Sequence, residues 1–393
     1  MSSQIQMKIR KNKPKLIAAL YLLFIIVTMF NYSMEASTIK NPLRQINLVI
    51  IISIAICLII LKKYTIKKIC WLVLALTYGA LNYYLSGYTD MLILLLVVYI
   101  CDGIDFNQVI KALFWEKLII FVILNLLAIS GAIEMTTSSV NKFFSIATAY
   151  GPGYGSANVY GCQAGVLILL YWVANRYNLN KLKIIVPWLF EIGIYIICRS
   201  RTGLLLISLA MIILLICNTP REHFIIKRLL TVAYPLILVA NFVLIYLFPR
   251  LGGYGNPIIA FINDGIFNGR IGLAVMNLNT YHVSLLGSRI DSSIVAANNM
   301  YSALDNGYTI ILLYYGIIGL IWYSYIQFAT AKKIAKIDEI TLMVALFIIN
   351  FWGIYEGQMV SLGGNFMVIA FLANITHGKY SKISGSEQIG VAK

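Results

Sequence analysis

The chain has 393 residues, 60% of them hydrophobic and only 12% charged, with a mean hydropathy of +0.83. A soluble domain carries about 25% charged and 45–50% apolar residues, so a water-soluble enzyme, a secreted disulfide scaffold and a disordered chain are excluded. The 31 Lys and Arg against 15 Asp and Glu give a net charge of +16; in an apolar chain that excess belongs at the cytoplasmic ends of membrane helices. Nucleic acid is not an expected partner, because no basic segment is long or interleaved with aromatics.

Apolar runs near 18 residues recur from end to end, the pattern of an all-α polytopic membrane protein forming a single transmembrane domain over 1–393. The basic start, Lys8 to Lys15, leads into the first run with no small-residue cleavage site, so no cleavable signal peptide is expected. About twelve spans follow in chain order: 16–33, 46–61, 69–86, 90–101, 118–133, 158–175, 184–198, 202–217, 229–248, 307–329, 340–355 and 359–375. With the N-terminus inside, 23 of the 31 basic residues fall on the cytoplasmic side, among them Lys111, Lys117, Arg176 and Lys333, and both termini are cytoplasmic. Two outer segments stand out. Residues 134–157 form a medium loop rich in Gly, Ser and Tyr. Residues 249–306, between spans 9 and 10, form a large loop whose apolar stretches Ile258–Ile262 and Ile271–Met276 are expected to make short helices at the membrane surface. No internal repeat is evident. The six cysteines lack C-x-x-C spacing and read as small buried hydrophobes.

The chemistry is expected outside. Eight basic residues remain there: Lys40, Arg44, Lys142, Arg199, Arg201, Arg250, Arg270 and Arg289. Cations are disfavoured on that side, and a guanidinium fork matches phosphate oxygens two at a time, so the arginines suit an anionic lipid-linked diphosphate. Glu191 lies within span 7, eight residues before Arg199, where both project from a similar helix face. A carboxylate in a membrane is a functional candidate or an internal structural partner. Asp305 opens span 10, as a helix N-cap, as a base for a sugar hydroxyl, or as both. His282 is the one histidine in the outer loops and an alternative base. Three histidines with no clustered carboxylates argue against a metal site, and no cofactor is expected. Outer amides and aromatics, including Asn158, Tyr160, Asn263, Asn298, Asn299, Tyr301, Asn306 and Tyr308, suit a sugar surface or an interfacial tyrosine belt.

Several of these strings resemble one family. Asp305-Asn306, nine residues, then Gly316-Ile317-Ile318-Gly319 resembles the motif of the O-antigen ligase and Wzy polymerase superfamily, where His or Asp followed by Asn precedes G-x-x-G at that distance. Phe267-Asn268-Gly269-Arg270 followed by Leu285-Leu286-Gly287 is similar to a stretch of that family's large outer loop. Ser200-Arg201-Thr202-Gly203 and Ser156-Ala157-Asn158-Val159-Tyr160-Gly161 are similar to two of its span starts. The resemblance implies a metal-independent, inverting glycosyltransferase of GT-C-like fold in the bacterial plasma membrane. Such an enzyme moves a glycan from a polyprenyl diphosphate to a hydroxyl of a lipid-linked repeat unit, building capsule, O-antigen or exopolysaccharide. It implies Arg201 and Arg270 on the diphosphate and Asp305 as the base. It leaves Arg199, Arg289, Asn306, Tyr308, Asn158, Tyr160, Glu191 and His282 as substrate-binding candidates, and a flippase and a chain-length regulator as candidate partners. Asp in the position of the ligases' His favours polymerase over ligase. An Asp near its usual pKa of about 3.9 is a weak base, so burial or hydrogen bonding must assist it, or its role is mainly orientation. From another class, a lipid-linked oligosaccharide flippase or transporter has a similar span count, but needs charge spread through a central cavity.

Overall fold

The computed structural model describes residues 3–39, 44–62, 64–142, 145–217, 220–290, 304–337 and 339–376. Lys40, Lys63, Asn298, Asn299, Tyr301 and the basic tail from 377 lie outside them.

Helices α1 (Ser3–Glu35), α2 (Arg44–Leu61), α3 (Ile66–Ser86), α4 (Asp90–Ile100) and α5 (Phe106–Ile129) come first. A β-hairpin, β1 (Met135–Lys142) and β2 (Ser145–Pro152), separates them from α6 (Ala157–Ala174), α7 (Lys181–Cys198), α8 (Arg201–Ile216) and α9 (Pro220–Arg250). The chain then forms α10 (Pro257–Phe261), α11 (Arg270–Thr280), α12 (Gly307–Ile310), α13 (Gly316–Ile337) and α14 (Ile340–Trp352). By length and composition seven helices among the described residues can cross a membrane, or eight if the bent pair around α10 and α11 counts as one span. Isoleucines and leucines stand bare on their outer faces, Ile60 and Leu126 among them; a surface this apolar on helices of this length suits lipid. This is a multi-pass membrane protein.

The expected count of twelve meets three shorter apolar helices, α4, α8 and α14, of 11, 16 and 13 residues. At 1.5 Å per residue the shortest spans about 16 Å of a roughly 30 Å hydrocarbon layer. No continuous helix occupies the expected twelfth span. Two buried 3₁₀ turns, Gly357–Val360 and Phe366–Phe371, stand there instead, because the chain doubles back at Gly363-Gly364 tightly enough that a Cβ on Gly364 would lie 2.4 Å from the Gln358 carbonyl oxygen. The segment 134–157, expected as a loop, contains the two strands found among the described residues: β1 and β2 pair antiparallel from Met135↔Pro152 to Lys142↔Ser145. Thr136, Thr137, Val140, Ile146 and Thr148 supply the β-branched residues that favour it. Lys117, expected at the cytoplasmic boundary, is buried about halfway along α5, since that helix begins at Phe106.

The break between α12 and α13 shows how the fold handles irregular backbone. Residues Ile311–Tyr315 form a π-helical turn, and Gly316 takes φ 73°, a left-handed value favourable only for glycine. Five of the main-chain groups at this break find partners elsewhere in the bundle. The Leu313 carbonyl accepts from Ser288 N (3.0 Å), the Tyr314 carbonyl from Asn82 Nδ2 (2.8 Å) and the Tyr315 carbonyl from the Tyr78 hydroxyl (2.5 Å). Ile317 N and Ile318 N donate to the Ser284 and Leu285 carbonyls, each at 3.1 Å. Within a bilayer each such group would otherwise cost several kcal/mol. The Leu285-Leu286-Gly287 and Gly316-x-x-Gly319 strings singled out in the sequence therefore form one backbone-to-backbone junction.

Candidate functional site

A cavity of about 670 Å³ opens where α7 ends, α6 and α8 begin, α14 ends and the bent α10–α11 segment arrives. Three cations line it, Arg199, Arg201 and Arg270, with two carboxylates, Asp305 and Glu356. Asn158, Ser138 and Ser139 add polar lining, and Leu205, Leu206, Leu209 and Phe351 give it an apolar flank along α8 and α14.

Each charged residue is set there by local chain geometry. Only Arg199 and Ser200 join α7 to α8. Arg199 closes α7 in the left-handed conformation, φ 55°, its N–H donating to the Tyr195 carbonyl at 2.8 Å. A non-glycine residue there costs about 1–2 kcal/mol. Its Nε is buried with no hydrogen-bond partner among the described residues. Arg201 is the first residue of α8. On the facing wall, Asn268 (φ 51°) and Gly269 (φ 79°) are left-handed in succession and turn the chain by 102° into α11, which begins at Arg270. Asn263 locks that corner: its Oδ1 accepts from Gly272 N at 2.9 Å and its carbonyl from Gly269 N at 2.8 Å.

Arg270 is the centre of the charge arrangement and is only 6% exposed. Its Nη1 lies 2.5 Å from Asp305 Oδ2, its Nη2 3.4 Å from Glu356 Oε1, and its Nε donates to the Tyr355 carbonyl at 3.1 Å. The Asp305 contact is ionic rather than a well-directed hydrogen bond. Burial raises the pKa of Asp305 above the usual carboxylate range, against the lowering pull of Arg270. Burial also pushes Glu356 up, to about 7, with Arg270 opposing and the charge of Asp305 assisting. One guanidinium between two carboxylates neutralises only one of them, and the charge of Asp305 therefore adds to the rise at Glu356.

Of the residues expected at the site, Arg199, Arg201, Arg270, Asp305 and Asn158 meet in this cavity; the others do not line it. Asn306, rather than Asp305, is the N-cap of α12: its Oδ1 accepts from Thr309 N at 3.0 Å, and its Nδ2 donates to Asn241 Oδ1 at 2.7 Å. That division leaves the Asp305 carboxylate available to Arg270. Tyr308 is fully buried and donates to the Asn350 carbonyl at 2.8 Å. Tyr160 stacks on Phe121 and donates to Asn125 Oδ1 at 3.0 Å. Both rings were expected on outer surfaces, but their hydroxyls find partners inside the bundle. Glu191 is 1% exposed and packs under α8, where a Cβ on Gly203 would lie 2.8 Å from its Oε1. It does not pair with Arg199, whose left-handed cap carries it off the helix face that the two residues would share. Arg289 lines a separate depression of about 520 Å³ with Tyr83, Tyr84 and Tyr88, and His282 is exposed beyond the end of α11.

Glu356 escaped the sequence reading. It falls in the short turn between two apolar runs, and the available signal was an acid standing alone between Ile340 and Met367. Among the described residues no three His, Cys, Asp or Glu side chains stand together as a metal site. Compared with protein-family models, curated proteins and solved structures, the chain gives no match.

Proposed function

We propose that this protein is a membrane glycan polymerase of the kind its motifs resemble. It transfers a growing glycan from a polyprenyl diphosphate to a hydroxyl of a lipid-linked repeat unit at the outer face of a bacterial plasma membrane, with both termini cytoplasmic and the chain crossing about twelve times. The observation that carries this reading is the convergence of Arg199, Arg201 and Arg270 on one cavity that also holds an acidic pair. Guanidinium groups held before the reaction at the place where the diphosphate departs stabilise its developing charge. A carboxylate beside them takes the proton of the acceptor hydroxyl, which attacks the anomeric carbon from the opposite face and inverts it. The apolar flank of Leu205, Leu209 and Phe351 suits the first prenyl units. An acceptor difference alone separates this reading from a ligase.

The test replaces Arg270 and Arg201 with Ala and Asp305 with Asn, then examines surface glycan and lipid carrier. Loss of polymer, with single repeat units accumulating on the carrier at the outer face, is expected. Normal polymer from all three variants overturns the proposal. Repeat units trapped at the inner face indicate a flippase instead.

A further inference from the structure

We propose that Glu356 is the general base of this cavity and that Asp305 is the counter-ion that aims Arg270. The inference rests on the glycan-transfer reading and departs from the sequence expectation, which gave the base to Asp305.

The contacts of the two carboxylates differ. Asp305 Oδ2 is held 2.5 Å from Nη1 of Arg270, so its charge is committed to the guanidinium. Glu356 Oε1 stands 3.4 Å from Nη2, near the limit of a hydrogen bond, and lines the same cavity. Both acids pair with Arg270; the one held closer is the poorer base, and the longer contact leaves Glu356 a lone pair for a substrate proton. The backbone of Glu356 is fixed at both ends, its N–H donating to the Trp352 carbonyl at 3.0 Å and its carbonyl accepting from Met359 N at 3.1 Å. The groups that face it are Arg270 on α11, Asp305 ahead of α12 and Cys162 on α6, with Arg199 and Arg201 on the other wall of the cavity. Burial, with the charge of Asp305 added, brings its titration to about 7, where a base is most effective at neutral pH.

The step balances. The acceptor O–H proton passes to a Glu356 carboxylate oxygen while the hydroxyl oxygen bonds to the anomeric carbon. The bond from that carbon to the diphosphate oxygen breaks, and its electron pair leaves with the diphosphate, beside the arginines. Glu356 then releases the proton to water.

The base must be ionised to act, so turnover is expected to rise with pH through about 7 and to level above it. The substrate for the assay is the polyprenyl-diphosphate oligosaccharide extracted from cells carrying the Arg270→Ala chain, and the enzyme is the full chain in lipid nanodiscs. Glu356→Gln is expected to lower kcat by about 10²–10⁴-fold with little change in KM and to abolish the rise. Glu356→Asp is expected to retain part of the activity with the rise moved to lower pH, and it carries the test if the Gln variant does not accumulate. Asp305→Asn removes a charge that raises Glu356, so it is expected to keep the rise, moved to lower pH, while weakening donor binding. A Glu356→Gln chain that retains normal kcat or the pH rise overturns the inference, as does loss of the rise in Asp305→Asn alone. In each case the glycan-transfer reading stands so long as Arg270→Ala is inactive. If Arg270→Ala cells make normal polymer and accumulate no carrier-linked units, that reading fails first.

Discussion

At one end of the bundle Arg176, Lys333 and Lys62 are tied chiefly to helix ends, with one acid, Glu339, at 3.9 Å from Arg176 Nε. Arg176 Nη1 donates to Asn107 Oδ1 (2.5 Å) and the Val173 carbonyl (3.1 Å), and its Nη2 to the Ile375 carbonyl (3.2 Å). Lys333 reaches the carbonyls of Ala370, Phe371 and Ala373, and Lys62 those of Ile100 and Asp102. These cations satisfy the carbonyls that close helices and turns, where a positive charge also complements the helix dipole. At the other end Arg199, Arg201 and Arg270 line a cavity, and the groups set against Arg270 are carboxylates, with one carbonyl, that of Tyr355. The same residue types thus serve two purposes. A cation bound to carbonyls staples the fold, whereas a cation balanced by acids can exchange that balance for an anionic ligand.

The contrast is sharpest between Arg270→Ala and Arg176→Ala. Removing Arg270 leaves two buried carboxylates facing each other and takes a donor from the cavity, so turnover is expected to fall by about 10²-fold or more. Arg270→Lys is expected to recover only part of it, because an ammonium cannot bridge both acids with a planar fork. Removing Arg176 takes a donor from Asn107 Oδ1 and leaves the Ile375 carbonyl with the Tyr177 hydroxyl, at a cost of about 1–3 kcal/mol. A lower unfolding temperature in detergent, with unchanged turnover per folded molecule, is expected. Equal loss of turnover in both variants would erase the distinction between the two ends.

A smaller effect is expected at the helix break. Gly316→Ala forces a Cβ into a φ of 73° and, at that position, into contact with the Gly287 amide nitrogen, so the 284–288 segment must move away. A lower unfolding temperature, by about 1–3 kcal/mol of stability, is expected, with faster amide hydrogen exchange at Ile317 and Ile318, whose acceptors lie in that segment. The smallest belongs to Lys68, paired with Asp102 at 2.5 Å, the lysine side chain half exposed. Lys68→Ala should shift stability by under about 1 kcal/mol, and less still in high salt.

Much of the site could be read from residue order. Arg201, Arg270 and Asp305 stood out because cations and acids are rare outside the cytoplasmic ends of an apolar chain. What residue order could not supply was the facing direction of a side chain. Tyr160 and Tyr308 sit near span starts in the sequence and Glu191 in the middle of one, and each points into the bundle, against Phe121 and Asn125, the Asn350 carbonyl, and Gly203. Glu356 looked like a residue of a tight turn until the turn closed over α11.

The sequence by itself determined what depends on near neighbours and on total apolarity: residence in a membrane and the succession of apolar runs. Those outcomes rest on interactions within a few residues or on transfer of apolar surface from water, and both are additive along a chain. Tertiary structure alone decided which cation meets which acid. Arg270 and Glu356 are 86 residues apart, and Asn82 reaches the helix break across 232. Such pairings depend on how whole helices pack, and no local pattern encodes them.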